Sequence, residues 1–258
     1  MNTKCLYTAI LSAQLFLSPQ PEAGEINIQL VTENTPITRV SLNSQKGGEA
    51  TRFIQGVMDN ADVGYTLSYL PWRRAYHNAR AAPNVVIFPL ARTAAREAEF
   101  QWIGQLVPIK YYLFQLKARN DIHVQSLNDA KPYEIGVVNY HAHHELLLER
   151  KFAHLQPVNS SDQNIKKLLL GRIDFFSMSD GGIQPLCERT QIDCRKLKAA
   201  VELTGIAGGL YMALSNDSDP ELARKLKLSF SQLVNDGTHA EIFAERLDRL
   251  ENFSDTWQ

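Results

Sequence analysis

From residue 26 onwards, short apolar runs alternate with stretches of helical spacing, and no other feature restricts the fold as strongly. Residues 26–31 and 65–69 read as strands, and 50–60 place Phe53, Ile54, Val57 and Met58 on one helical face. Pro71 opens a helix through Arg80, since its fixed φ suits a first turn, and 85–88 is a short buried strand. Thr93 stands where an N-cap belongs, which predicts a helix running towards Phe100. A second series follows: strand 135–138, helices 142–151 and 162–170, and strand 173–178. Asp219-Pro220-Glu221 combines a cap, a first-turn proline and an acidic first turn. Asp236-Gly237 ends that helix, and a last one begins near Thr238. Such alternation predicts an α/β protein with mainly parallel sheets, and the two series predict two lobes. In these sheets ligands sit beyond the carboxyl ends of strands. The loops after Val31, Tyr69, Phe88, Val138 and Met178 are therefore where a site belongs.

Composition narrows the class of function. The 258 residues include 27 Lys and Arg against 28 Asp and Glu, a net charge of −1 with no dense basic run, so no nucleic-acid partner is expected. Lys4 precedes an apolar stretch that runs to Leu17, and Pro19 and Pro21 break it before Ala23-Gly24. Too short to span a bilayer, this segment matches a secretory signal peptide over 1–24, cut after Ala23 or Gly24. Export makes Cys187 and Cys194 readable. In an oxidising compartment a local disulfide is expected, with two unpaired thiols as the alternative; zinc would require a second pair that the chain lacks.

The loop after Phe88 carries Thr93 and Arg96, followed by Phe100, Trp102 and Gly104. Free backbone N–H groups beside a guanidinium would receive a carboxylate, because arginine can grip it bidentately. Equally, Arg96 can pair with Glu97, Glu99 or a neighbouring helix. His141, His143 and His144 with Glu145 suggest metal, but the His-Glu-x-x-His spacing is absent, so polar cleft or surface histidines are expected and no metal. There is no Gly-x-Ser-x-Gly elbow and no phosphate loop, so no enzyme and no cofactor are expected.

These segments resemble the family-3 extracellular solute-binding proteins, typified by the periplasmic receptors of amino-acid ABC importers. The resemblance rests on Thr93-x-x-Arg96, on Phe100-x-Trp102-x-Gly104, on Pro71-Trp72-Arg73-Arg74-Ala75-Tyr76, and on the closing stretch from Leu214 to Leu222 with Asp236-Gly237-Thr238. It implies a type 2 periplasmic-binding-protein fold of two α/β lobes joined by two crossing segments. Residues 25–111 and 208–258 would form lobe 1, and 112–207 lobe 2 with the crossings, near Tyr112–Leu113 and Thr204–Ala207. It also implies a periplasmic monomer that binds a small, carboxylate-bearing solute and meets ABC-importer membrane subunits. Arg96 would hold the carboxylate beside Thr93, and Trp72 would offer a stacking face or else pack in the core. His141 and His143 would line the cleft, and Asp180 would receive an amino group. A stand-alone sensor or a dehydratase-type enzyme on the same fold are the alternatives. The chain departs from the resemblance where Pro89, Leu90 and Ala91 replace small hydroxyl residues, and where Asn139 to His144 replace a Gly-Ser-Thr-like turn.

Overall fold

The computed structural model describes residues 28–39, 47–206, 208–253 and 257; the expected signal peptide lies outside them. The first lobe begins with β1 (Ile28–Thr32), α1 (Glu49–Asn60), β2 (Tyr65–Tyr69), α2 (Trp72–Ala81), β3 (Val85–Ala91) and β4 (Phe100–Pro108). The second lobe contains β5 (Tyr111–Leu116), β6 (Ile135–Val138), α3 (Ala142–Glu149), β7 (Leu155–Val158), α4 (Ser161–Leu169), β8 (Phe175–Ser179), α5 (Asp180–Thr190) and β9 (Leu197–Glu202). The chain then returns through β10 (Gly209–Ser215), α6 (Pro220–Asn235) and α7 (Thr238–Glu251).

Each lobe is built on a five-stranded sheet, and the two sheets repeat one plan. Lobe 1 has the order β2-β1-β3-β10-β4 and lobe 2 the order β7-β6-β8-β5-β9. In both, three parallel strands adjoin an antiparallel strand that enters directly from a crossing segment: β10 pairs antiparallel with β3 and β4, and β5 with β8 and β9. The first crossing is Ile109–Lys110, slightly earlier than expected, because β5 already pairs at Tyr111.

Local signals explain the last two helices. The Asp219 carboxylate accepts the Glu221 N–H at 2.8 Å, with Pro220 in the first turn of α6. Gly237, at φ 90°, supplies the left-handed turn between α6 and α7. In β4, Gly104 lets the Phe230 ring of α6 lie directly against the strand, where any Cβ would collide with that ring. The lobe 1 core forms around Phe53, Phe88, Met212, Phe230 and Phe243. The lobe 2 cores form around Phe114 and Phe176 on one face and Leu113, Val137 and Phe175 on the other. Cys187 and Cys194 are joined, tying α5 to the turn before β9.

Three expectations are corrected. The helix predicted from Thr93 towards Phe100 is a single 3-10 turn at Ala94–Arg96, and Thr93 makes no side-chain cap bond. At Phe100 the chain is committed to β4, paired with β10 from Phe100↔Ser215 onwards, which leaves no length for a further helical turn. β4, β5, β7, β9 and β10 were not foreseen; β7 contains Pro157, which is tolerated because β7 is an edge strand paired with β6 alone. Finally, 208–258 does not stay within lobe 1. Phe243 of α7 packs on Phe53, but Phe253 stacks on Tyr112 at 4.9 Å, and Trp257 meets Phe114 edge-on at 5.6 Å, inside a lobe 2 core. The tail thus connects the lobes a third time.

Candidate functional site

Between the lobes lies a cleft of about 490 Å³. Its walls are the loops that follow the parallel strands. Lobe 1 contributes 33–37 after β1, 69–72 at the end of β2, and Pro89, Ala91 and Arg96 from β3 onwards. Lobe 2 contributes Val138 and 141–143 after β6, 159–161 after β7, and 178–182 after β8. All five loops named from the sequence are therefore on the wall, together with the loop after the unforeseen β7.

Arg96 lies at the centre of the junction and is 1% exposed. Its guanidinium donates to Ala91 O at 3.2 Å within its own lobe, and across the cleft to Tyr140 O at 3.1 Å and Glu145 Oε2 at 2.8 Å. The Tyr76 ring lies beneath it, 4.9 Å from the guanidinium carbon. Of the partners foreseen for Arg96, the neighbouring helix is the one observed, since Glu145 belongs to α3. Glu97 is taken by Arg92, and Glu99 by Arg80 and the Tyr76 hydroxyl. Burial raises the Glu145 carboxyl above its ordinary value even though Arg96 pulls it down.

Trp72 begins α2 and is largely buried, 8% exposed. Its indole N–H donates to the same Tyr140 carbonyl at 2.9 Å, and one ring face is stacked on Tyr76 at 5.9 Å. One backbone oxygen of lobe 2 thus receives two donors from lobe 1. Tyr140 presents it from a left-handed conformation, φ 63°, at the turn before α3. His141 caps α3 and brings Nε2 to 3.4 Å from the Glu33 carboxylate of lobe 1, an ion pair whenever the imidazole is protonated. His143, 2% exposed, has no hydrogen-bond partner on either ring nitrogen. Burial, reinforced by His141, His144 and Arg96, pushes its pKa well down, so it is neutral. Asp180 opens α5 and accepts backbone N–H groups from Lys110 at 3.0 Å and Gly181 at 2.7 Å. Burial outweighs those bonds and raises its carboxyl to about 6.

Trp72, Arg96, His141, His143 and Asp180 accordingly share the cleft wall, and Thr93 does not. The Thr93 hydroxyl is buried without a partner, and the helix expected to start beside it is a single 3-10 turn. Tyr111, which lines the cleft, escaped the sequence reading, and the place of Glu33 on the cleft wall and the pairing of Glu145 with Arg96 were not assigned there. Glu33 follows the first named strand directly and was accessible to that argument; the Arg96–Glu145 pairing was not. Among the described residues, no three His, Cys, Asp or Glu side chains converge to hold a metal ion.

No family model and no curated protein matches the sequence. Solved structures do match. An arginine-, lysine- and histidine-binding protein, ArtJ of Geobacillus stearothermophilus, shares 17% identity at TM-score 0.72, over 87% of this chain and 99% of that one. The fold is that of the periplasmic binding proteins. An ancestral arginine-binding protein bound to arginine matches at 14% identity and TM-score 0.72, covering 85% of this chain and 97% of its own. A histidine kinase sensor domain with similarity to periplasmic binding proteins matches at 14% identity and TM-score 0.74, over 86% and 96%. In this periplasmic-binding-protein fold the cleft between the sheets is shared by both lobes.

Proposed function

We propose that the protein is an exported, periplasmic solute-binding protein that captures a small polar solute between its lobes without turning it over, and presents it to the membrane subunits of an ABC importer. The observation that carries this reading is the cleft itself. About 490 Å³ of space, enough for a small metabolite, is walled by strand-end loops from both lobes and studded with buried polar groups. A solute touching both walls stabilises the closed arrangement by its contacts there. The carboxylate-bearing solute expected from the sequence would have to take Arg96 from Glu145. The likeness to a sensor domain supports a second reading, in which the closed form is read by a membrane receptor.

The test is a thermal-shift screen across amino acids, organic acids and amines, followed by calorimetry and recovery of the solute. Mass action predicts stabilisation of about 2.7 kcal/mol at a hundred times Kd. Stoichiometric binding with the solute recovered unchanged supports capture. No shift and no heat from any class refutes it, and conversion of the solute refutes binding without turnover.

A further inference from the structure

Resting on the reading of the cleft as a solute site, we propose that its solute is an organic cation lacking a carboxylate: an amine, a guanidine or a polyamine. The arginines of the wall are already paired. Arg96 has Glu145 at 2.8 Å, Arg246 has Glu49 at 3.2 Å, and Arg189 has Asp162. The wall carboxylates are not matched in the same way. Among the described residues, neither Glu33 nor Asp180 has a lysine or arginine within ion-pair distance, and Lys110, whose field reaches Asp180, is paired with Glu202 at 3.9 Å. Among the described residues, the Glu33 carboxylate has an ion-pair contact with His141 alone.

Two carboxylates alone would not make a site, but His143 points to a ligand independently. It is 2% exposed on the cleft wall, and neither of its ring nitrogens has a partner. A neutral imidazole keeps one nitrogen as an acceptor, which an ammonium or guanidinium N–H can satisfy. Tyr111 ties the two acidic groups to the same region. Its phenol feels Arg96, which is already paired with Glu145, and after it both Asp180 and Glu33, and its ring centre is 5.2 Å from that of His143.

The choice between charges follows. Among the described residues of the wall, a ligand carboxylate entering this cleft meets two unmatched carboxylates and no guanidinium without a carboxylate partner. A cation meets Glu33 from lobe 1 and Asp180 from lobe 2, so the same charge that binds it also joins the lobes. Glu145, by filling the place on Arg96 that a ligand carboxylate would need, acts as a specificity element.

Agmatine and L-arginine differ only in the α-carboxylate, as do cadaverine and L-lysine, and the four are titrated calorimetrically into the purified protein. The decarboxylated member of at least one pair should bind roughly tenfold or more tighter, because the carboxylate adds only repulsion. Glu145→Gln should narrow that ratio by leaving Arg96 uncompensated. Amino acids binding as tightly as their amines overturn the proposal using the unaltered protein alone, so failure of a variant to fold does not shelter it. Glu33→Gln and Asp180→Asn, each folded by circular dichroism, should weaken amine binding; unchanged affinity in both overturns it as well. Binding of an anion such as succinate, with no amine bound, overturns the cation while leaving solute capture standing. Silence from every solute overturns both.

Discussion

Arg96→Met and Glu145→Gln remove opposite halves of one contact, and they are expected to differ in cost. Arg96 is 1% exposed and bonded to Ala91 O, Tyr140 O and Glu145 Oε2, whereas the Glu145 side chain is 35% exposed. Methionine fills much of the space but satisfies neither carbonyl, and it leaves a carboxylate facing an apolar group. Breaking a buried charged pair in this way typically costs about 3–5 kcal/mol. Glutamine keeps an acceptor for the guanidinium and removes only a charge whose ionisation burial already opposes. Burial raises the Glu145 carboxyl while Arg96 lowers it and Glu99 raises it further, so desolvation offsets part of the attraction of the pair. Water at its exposed edge softens the change, but Arg96 is left a buried charge without its counter-ion, so a loss of about 1–3 kcal/mol is expected, smaller than for Arg96→Met. Urea unfolding of both variants at pH 7, with m-values compared, measures the difference. Equal losses would mean that the ion-pair attraction itself holds the junction, and the desolvation argument would be wrong.

Asp180 gives a pH dependence. Its folded-state carboxyl is raised to about 6, so the stability it contributes is complete below its ordinary value and is lost as pH rises through about 6. A shift of roughly two units corresponds to at most about 3 kcal/mol, and Asp180→Asn should flatten that slope between pH 4 and 7; parallel unfolding profiles would refute this. For the disulfide, alkylation of the purified protein without reductant should leave Cys187 and Cys194 unlabelled, and reduction should lower stability by about 2–3 kcal/mol. Two labelled cysteines would overturn that. Gly104→Ala should destabilise by about 1–3 kcal/mol through the Phe230 ring, and Phe230→Leu should recover part of the loss; a neutral Gly104→Ala would show that α6 shifts freely.

What could be read from the sequence is what is encoded locally. The cap at Asp219, the glycine at 237, the helical face from Phe53 to Met58 and the alternation of elements each depend on a few adjacent residues. So does the position of the site, because strand ends and the loops after them are local features. The main failures involve partners distant in the chain. The turn after Thr93 is cut short by pairing with β10, more than a hundred residues on. Arg96 finds its carboxylate 49 residues away and in the other lobe. The resemblance assigned Arg96 a ligand role from its place in a motif, but a motif does not show whether another side chain already holds the group.

The tail also changes the kinematics of the lobes. Two crossing segments alone permit both bending about the line through them and twisting around it. Phe253 adds a tether that stacks on Tyr112, two residues beyond the first crossing at Ile109–Lys110. An attachment so near the axis leaves bending nearly free, because points close to a pivot travel little. It resists twisting, which would drag the aromatic rings across the face of β5. If the lobes part to admit a solute, such a tether confines them to a single path, on which Glu33 would return to His141, and Trp72 and Arg96 together to the one carbonyl of Tyr140.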